Sequence, residues 1–205
     1  MFFSIDGGDG TGKSTQLELF CQWLRQQGLQ VVACRDPGST RLGEAIRELL
    51  LSRHDLDIHR RSEMLLYMAA RAQLVEEMLR PAIQQAKTVV TDRYLLANVV
   101  YQGHGGGLDP ETLWEVGRVA TGGLMPDLTL VLDMPAEAAA ARLDRQLDRM
   151  ERQGAEFHAR VREGFLIEAA RQPGRIVVID AARPVGEVQA DLRAAAQRLL
   201  SAKAM

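Results

Sequence analysis

Residues 7 to 14 read G-G-D-G-T-G-K-S, directly after an apolar run and at the start of a segment with helical periodicity. The stretch is a complete match to the phosphate-binding pattern G-x-x-x-x-G-K-[ST]. Glycines let backbone N–H groups turn towards phosphates, and the helix N-terminus adds its positive end. An ordinary glycine-rich turn is the alternative interpretation. The full pattern instead predicts a nucleoside triphosphate site, in which Lys13 reaches the outer phosphates and the Ser14 hydroxyl binds Mg²⁺. Its expected members are Gly7, Gly8, Asp9, Gly10, Thr11, Gly12, Lys13, Ser14 and Thr15.

Short apolar runs that end in a charged residue recur along the chain and are typical of buried parallel strands. Segments with helical periodicity separate them. Strands that alternate with helices predict a parallel sheet covered on both faces and joined by right-handed crossovers, a three-layer α/β fold. The runs are Phe2–Asp6, Val31–Arg35, Thr88–Asp92, Leu128–Asp133 and Ile176–Asp180. Because ligands gather at the carboxyl ends of such strands, the charged residues should share one edge.

The connecting segments carry their own signals. Periodicity predicts a helix over Met64 to Ile83 that ends near Pro81. The glycines of Q-G-H-G-G-G-L predict a loop over Gly103 to Gly107. Asp109, which stands before a proline, is predicted to cap a helix that runs through Ala120.

Composition limits the possible classes of protein. The chain has 205 residues, 46% of them hydrophobic and 25% charged, with a formal net charge of −2. At roughly 150 residues per domain, one domain over residues 1–205 is expected. The balance argues against disorder, and the charge gives no general attraction to nucleic acid or an anionic membrane.

Targeting and metal signals are weak in this sequence. No apolar run reaches the roughly 18 residues that a spanning helix needs, and no basic segment precedes an apolar one at the N-terminus. The protein is therefore expected in the cytoplasm, without a membrane partner. Two cysteines, Cys21 and Cys34, and four histidines make neither a disulfide framework nor a zinc spacing. Any metal should arrive with a substrate.

Two classes of nucleotide-binding protein fit poorly. GTPases read guanine with N-K-x-D, and the single asparagine, Asn98, is followed by valine. A water-activating ATPase usually has Glu after the strand-end Asp, whereas Asp92 is followed by Arg93. Arginine there suits a negatively charged acceptor better than a water. These observations favour a kinase that phosphorylates a nucleotide. Two alternatives stay open: a kinase for a different nucleotide or for a nucleoside, and a binding or switch protein that hydrolyses ATP slowly.

Four separated motifs together resemble one family over almost the whole chain. They are F-F-S-I-D-G-G-D-G-T-G-K-S-T-Q (2–16), R-D-P-G-S-T (35–40), D-R-Y-L-L-A-N-V-V-Y-Q-G (92–103) and D-R-M-E (148–151) with E-F-H-A-R-V-R-E-G-F (156–165). The chain is similar in these motifs to bacterial thymidylate kinases of the P-loop nucleoside-monophosphate kinase group. The resemblance implies a five-stranded parallel sheet, a short helical lid at about 142–153, a homodimer, and phosphorylation of dTMP to dTDP with ATP and Mg²⁺ in dTTP biosynthesis.

The sequence departs from the family pattern at a few positions. Asp6 and Asp36 stand where Glu is usual, Tyr67 where Phe is general, and Ala97 where Ser is usual. The change at Tyr67 touches the base pocket and bears on substrate preference.

Roles for the acceptor site also follow from the resemblance. It assigns Asp9 to the sugar 3′-hydroxyl, and Arg35 and Arg93 to the acceptor phosphate, which guanidinium forks suit. Surface ion pairs are the plain alternative for either arginine. A cis peptide is implied at Asp36-Pro37, which would turn Arg35 back over the phosphate loop.

The base and sugar are assigned to two helical segments. Tyr67 and Arg71 are four residues apart and share a helix face. The resemblance implies that the ring stacks on thymine and that the arginine hydrogen-bonds to its O4; a tyrosine at the edge of the core with a snorkelling arginine is the alternative. Tyr101 is placed against the deoxyribose, where plain packing is the alternative, and Asn98 and Gln102 near the base. Asp92 would orient a water on Mg²⁺.

Arginines recur at helical spacing in the lid segment, at Arg142, Arg145, Arg149 and Arg152. A solvated, ion-paired helix face is the ordinary interpretation of such a pattern. Alignment with the family lid makes them candidates for the transferring phosphoryl group instead, with Arg149 first and Arg145 next. Lys13 and Arg93 complete the predicted catalytic set. The loop Ala181–Pro184 would border the adenine.

Overall fold

A parallel sheet of five strands, in the order β2-β3-β1-β4-β5, forms the centre of the molecule. The computed structural model describes residues 1–52, 56–143 and 148–204, with side chains described through residue 201. The strands are β1 (Phe2–Gly7), β2 (Val31–Arg35), β3 (Thr88–Asp92), β4 (Leu128–Asp133) and β5 (Ile176–Asp180). Every adjacent pair is parallel. The predicted fold class and all five predicted strands are confirmed, with β1 one residue longer than expected.

Helices connect the strands and cover both faces of the sheet. They are α1 (Lys13–Gln26), α2 (Arg41–Leu51), α3 (Arg60–Leu74), α4 (Arg80–Gln84), α5 (Leu95–Asn98), α6 (Pro110–Thr121), α7 (Ala136–Ala140), α8 (Ala155–Arg171) and α9 (Val185–Ala204). Two π-helical stretches, Val75–Leu79 and Val99–Gly105, lie between α3 and α4 and directly after α5.

The apolar residues separate into two layers because neighbouring side chains of a strand point to opposite faces. Phe2 and Val131 pack into one layer, with α3, α6 and α8. Phe3, Ile5 and Leu130 pack into the other, with α1 and α9. The core therefore fixes the sheet between two helical layers, and the carboxyl ends of β1 and β3 lie side by side, with Ile5 paired to Asp92.

The helix predictions met mixed outcomes. The side chain of Asp109 accepts a hydrogen bond from the Thr112 amide, which confirms the predicted cap of α6. The helix predicted to end near Pro81 instead continues through π-helical turns to Gln84. Pro81 follows those turns, where the regular i−4 hydrogen bonding is already interrupted, so a missing donor there breaks little.

The loop predicted over Gly103–Gly107 is wrong in part, since the chain remains helical to Gly105. A Cβ at Gly105 would stand 2.8 Å from a Val161 side-chain carbon and 2.9 Å from one of Phe157. The glycine therefore serves close packing against α8 rather than a turn.

The helical lid is also wrong where the structure describes it, since residues 141–142 and 149–153 contain turns. Asp148 accepts hydrogen bonds from the backbone amides of Met150 and Glu151, at 2.8 and 2.9 Å. Such side-chain caps compete with a continuous helix. Arg145 lies outside the described residues.

No helix among the described residues is long and apolar enough to cross a membrane. Cys21 and Cys34 are buried free thiols.

Candidate active site

The phosphate loop connects β1 to the first turn of α1. Gly10 has a φ of +80°, and a Cβ there would stand 2.0 Å from the Ala139 carbonyl oxygen, so this position requires glycine. The ammonium of Lys13 donates to the Gly8 carbonyl at 2.6 Å, and the Thr11 hydroxyl donates to the same oxygen at 2.8 Å. The loop is thus closed by its own side chains, with a cation at its centre.

Burial and, after it, the nearby charge of Arg93 lower the pKa of Lys13 to about 8. A lysine in this condition holds its proton more firmly when anionic phosphates approach. The side chain is therefore suited to outer phosphates that come close to Gly8.

A cavity of about 360 Å³ opens beside this loop at the carboxyl end of the sheet. It gathers residues from segments that are far apart in sequence. The predicted site residues that line it are Asp9, Gly10, Gly12, Lys13, Ser14, Thr15, Arg35, Tyr67, Arg71, Asp92, Arg93, Asn98, Tyr101 and Gln102. We call this cavity the cleft.

Some members of the phosphate loop face elsewhere. Gly8 and Thr11 line a second cavity of about 460 Å³ between β4, α7 and α8. Gly7 ends β1, where a Cβ would stand 2.4 Å from the Leu132 carbonyl oxygen. These three residues therefore face β4, α7 and α8 rather than the cleft.

Arg93 stands at the junction between the phosphate loop and the rest of the cleft. It follows β3 with a φ of +66°, a conformation uncommon for a residue with a side chain. Its guanidinium donates to the Gly7 carbonyl at 2.8 Å, forms a salt bridge with Asp9, and lies 4.9 Å from the centre of the Tyr101 ring. The cation is therefore fixed in place before any substrate enters.

Asp9 is held between this cation and a phenol. The Tyr101 hydroxyl donates to Asp9 Oδ2 at 2.7 Å. Burial alone would raise the pKa of Asp9, but the charges of Arg93 and Lys13 lower it to about 2. The carboxylate is ionised and can accept a further hydrogen bond.

Arg71 lies at the deep end of the cleft and is only 1% exposed. Its Nε donates to Asp36 Oδ2 at 2.6 Å, and its other nitrogens donate to Asn98 Oδ1 at 3.0 Å and the Tyr94 carbonyl at 3.3 Å. The Asp36-Pro37 bond is cis, as predicted. The sequence analysis assigned no role to Asp36, although its place after a strand-end arginine was a usable signal.

A chain of side-chain hydrogen bonds continues from Arg71. Asn98 Nδ2 donates to Gln102 Oε1 at 2.6 Å, and Gln102 Nε2 donates to Glu63 Oε1 at 2.7 Å. Sequence reasoning missed Glu63. The signal was its spacing, since Glu63, Tyr67 and Arg71 follow one another at i+4 on α3 and share a face.

The Tyr67 ring is half-buried and lines the cleft, and burial raises the pKa of its phenol above the usual range. The ring can therefore present an apolar face to a planar ligand.

The outer end of the cleft carries two more arginines. Arg35 donates to both oxygens of Glu44 at 3.0 Å and is half exposed. Arg47 donates to the Pro37 carbonyl at 3.1 Å and also lines the cleft. Sequence reasoning missed Arg47, although Gly43, Arg47 and Leu50 share the inward face of α2.

The residues expected at a metal ion fit one that arrives with phosphates. No three His, Cys, Asp or Glu side chains of the described chain segments cluster to hold a metal by themselves. Ser14 and Asp92 both line the cleft, and Asp92 Oδ1 is buried without a hydrogen-bond partner. Asp6 Oδ1, at the end of β1, is in the same condition, and burial raises the pKa of Asp6. Hard oxygen donors of this kind suit Mg²⁺ that keeps waters and phosphate oxygens as its other ligands.

The lid residues lie at the edge of the cleft. Arg142 lines it and donates to the Ala181 carbonyl at 3.3 Å, in the loop expected to border adenine. Arg149 forms a salt bridge with Glu63, and its Nε donates to the Leu50 carbonyl at 2.7 Å. The structure therefore places Arg149 against Glu63 and the end of α2 rather than at the phosphate loop.

Comparison with known proteins agrees over the length of the chain. A family model described as thymidylate kinase matches residues 5–192. A thymidylate kinase of Rhodopirellula baltica is 49% identical over 185 residues, which cover 90% of this chain and 75% of the relative. One of Clavibacter michiganensis is 46% identical over 207 residues, with 100% and 98% covered. A solved thymidylate kinase of Ehrlichia chaffeensis has a TM-score of 0.77 at 30% identity and covers 96% of this chain and 98% of its own.

Proposed function

Because this chain belongs to the thymidylate kinase family, we propose that its cleft holds dTMP beside the γ-phosphoryl group of ATP. The enzyme transfers that group to dTMP, giving dTDP and ADP, a step in dTTP biosynthesis. The observation that carries the placement is Arg93, whose guanidinium is bonded to Gly7 and Asp9 of the phosphate loop and lies over the ring of Tyr101, on the proposed acceptor side. One fixed cation thus lies between the two expected phosphate positions.

The acceptor phosphate is assigned to the two strand-end arginines. Arg93 approaches it from the side of the phosphate loop. Arg35 approaches it from the outer side, where an ion pair with Glu44 orients the Arg35 guanidinium. Arg47 adds a third positive charge along the same wall. Guanidinium forks bind phosphate oxygens in pairs, so this wall would fix both position and charge.

The sugar and base are assigned to the deeper part of the cleft. Asp9 accepts the 3′-hydroxyl while Tyr101 packs against the deoxyribose. Tyr67 stacks on thymine and Arg71 donates to its O4, with Asn98 and Gln102 beside the base. The contacts that Arg71 makes with Asp36 and Asn98 support this, because they hold its guanidinium in one orientation.

No protein group is needed as a nucleophile. An ionised oxygen of the dTMP phosphate forms the new bond to the γ-phosphorus while the bond from that phosphorus to the β–γ bridging oxygen breaks, and the electron pair leaves on ADP. Alignment and charge neutralisation supply the catalysis. Lys13 neutralises the donor phosphates, Arg93 holds the acceptor, and Arg149 and Arg145 are the proposed lid cations for the equatorial oxygens.

The Ser14 hydroxyl and, through a water, Asp92 are the residues that would hold Mg²⁺. When bound with ATP, the ion neutralises charge on the β- and γ-phosphates. The unpartnered oxygen of Asp92 supports this assignment.

The wider setting is proposed on the same basis. Residues 1–205 act as one kinase domain with a lid at about 142–153, and the protein works in the cytoplasm as a homodimer, without nucleic acid or membrane partners. Val119 on α6 and Leu65 on α3 support a dimer, because they are 84% and 53% exposed on neighbouring helices.

A coupled assay of ADP release tests the acceptor. With ATP and Mg²⁺, we expect turnover with dTMP and a rate near background without it. A preferred response to another monophosphate or to a nucleoside would favour a different acceptor. Steady ADP release without any acceptor would favour a slow hydrolytic switch.

A further inference from the structure

Glu63 is a buried carboxylate, 6% exposed, that accepts one hydrogen bond on each oxygen. Oε1 accepts from Gln102 Nε2 at 2.7 Å, on the side of the acceptor pocket. Oε2 pairs with the guanidinium of Arg149, from the lid segment. A single carboxylate thus contacts both the proposed base pocket, through Gln102, and the lid segment, through Arg149.

The hydrogen bonds between Arg71 and Glu63 can run in one direction only. Arg71 has donors and no acceptor, whereas an ionised carboxylate has acceptors and no donor. Asn98 and Gln102 stand between them. Each of the two amides therefore turns its oxygen towards Arg71 and its nitrogen towards Glu63. The donor-only and acceptor-only ends therefore fix the orientation of both amides.

Arg149 is held on the far side of the same carboxylate. Its Nε donates to the Leu50 carbonyl at 2.7 Å, and its backbone amide donates to the Leu51 carbonyl at 3.4 Å. These contacts tie the lid segment to the end of α2. Because the guanidinium cannot pair with Glu63 and reach a transferring phosphoryl group at once, the salt bridge must open for Arg149 to act there.

We propose that Glu63 is a positioning residue that orients the Gln102 and Asn98 amides for the acceptor base and docks Arg149 when the lid is open. The base pocket and the lid are then linked through the two oxygens of one side chain. This inference rests on the proposed placement of the base in the cleft. The docking of Arg149 on Glu63 is a contact within the protein, so that half of the inference does not depend on where the base binds.

An exchange of side chains tests the link to the pocket. In Gln102→Glu, two carboxylates face each other across a hydrogen-bond distance, and we expect the Kd for dTMP to rise at least about tenfold, equal to about 1.4 kcal/mol. In the double variant Glu63→Gln/Gln102→Glu, the new amide donates to the new carboxylate and still accepts from Arg149. Every donor again faces an acceptor, with the net charge unchanged.

We therefore expect the double variant to bind dTMP at least fivefold more tightly than Gln102→Glu in titration calorimetry without ATP. A double variant that binds no better than Gln102→Glu would overturn the pocket role of Glu63. Thermal unfolding of each variant confirms that the folded protein is being compared.

Hydrogen exchange of the ligand-free protein tests the link to the lid. In Glu63→Gln, the new side chain has one acceptor oxygen for two donors, Gln102 Nε2 and the Arg149 guanidinium. The docking of Arg149 therefore weakens. Residues 148–153 should exchange at least threefold faster in Glu63→Gln and in Arg149→Gln. The combination Glu63→Gln/Arg149→Gln, in which the two new amides can pair, should restore slow exchange. Unchanged exchange in both single variants would overturn the docking role.

A matched control is available in Glu168, a fully buried carboxylate that accepts from Trp114 Nε1 at 3.1 Å, away from the cleft. Glu168→Gln should leave both readouts within twofold of the parent, and a shift equal to that of Glu63→Gln would assign the effect to general loosening. The proposed base placement is checked separately. If Arg71→Ala binds dTMP as tightly as the parent while Glu63→Gln/Gln102→Glu still binds dTMP more tightly than Gln102→Glu, the base placement is wrong and the link through Glu63 stands.

Discussion

Arg71 Nε and Asp36 Oδ2 are 2.6 Å apart, and both side chains are almost completely withdrawn from solvent. They come from α3 and from the loop after β2, so the pair joins two elements at the base of the cleft. Burial raises the pKa of Asp36, and the charge of Arg71 opposes this. We expect the pair to contribute to stability and to recognition of the base, and the two contributions can be tested separately.

Removal of Asp36 should destabilise the fold. Asp36→Ala leaves the Arg71 cation buried without its partner, which typically costs about 3 to 5 kcal/mol. Denaturant unfolding measures the change. The control is Glu44→Ala, whose ion pair with Arg35 is about half exposed and should contribute less than about 1 kcal/mol. Equal effects of the two substitutions would contradict a special role for the buried pair.

Arg71 should select the base. A site built around a donor at the base carbonyl rejects a base with an amino group there, because two donors then face each other. We expect kcat/KM for dTMP to exceed that for dCMP by at least about 100-fold, and Arg71→Ala to erode the ratio. Comparable kcat/KM for the two nucleotides in the parent enzyme would contradict the assignment.

ATP binding should weaken above pH 8. Burial and the charge of Arg93 lower the pKa of Lys13 to about 8 from its ordinary 10.5, so the ligand-free lysine loses its proton above pH 8. Phosphates prefer the charged form, and the Kd for ATP should rise by up to about tenfold per pH unit there. Lys13→Arg, which stays charged, should show a flat profile between pH 7 and 9.5. A parent profile as flat as that of Lys13→Arg would contradict the lowered pKa.

The same shift has the opposite sign for folding. Between pH 8 and 10.5 the unfolded lysine binds a proton that the folded one has released. The contribution of Lys13 to stability therefore rises with pH across that window.

Arg149 should act in the transition state. A phosphoryl-transfer arginine is worth about 10³ to 10⁵ in rate, and the variable positions of the phosphate loop, 8 to 11, contain no basic residue. Arg149→Ala should lower kcat strongly and change the Kd for ATP little, because the contact requires lid closure. Arg145→Ala should be milder.

The control for this experiment is Arg25→Ala, an exposed arginine at the end of α1, which should keep the parent kcat. If Arg149→Ala stays within about threefold of the parent, a difference under roughly 0.7 kcal/mol, the assignment of Arg149 to the transition state fails.

The exposed side chains of Val119 and Leu65 should mediate dimerisation. Val119→Glu places a charge at the most exposed large apolar residue, on α6, and should shift the mass measured by light scattering from dimer towards monomer. Val185→Glu alters a residue that is 51% exposed at the start of α9 and should leave the mass unchanged. A monomeric parent protein would contradict the homodimer itself.

The sequence determined the sheet and the chemistry of the phosphate site because both depend on local patterns. Apolar runs such as Thr88–Asp92 become buried strands wherever helices cover both faces of the sheet. The glycines and Lys13 of the phosphate loop act through neighbouring backbone, so their spacing predicted a loop between the first strand and the first helix, where the structure has it.

Tertiary structure alone decided the partners of the buried side chains. Asp36 contacts Arg71 only once α3 packs against the loop after β2. Glu63 contacts Gln102 and Arg149 only once α3 packs beside the π-helical stretch Val99–Gly105 and the lid segment. Such pairs are required because buried polar groups must find partners in space, and no rule of spacing states which ones. The helix predicted for the lid arginines is wrong at residues 149–153 for a different, local reason: Asp148 accepts hydrogen bonds from the backbone amides of Met150 and Glu151, and this cap takes the place of a helical turn.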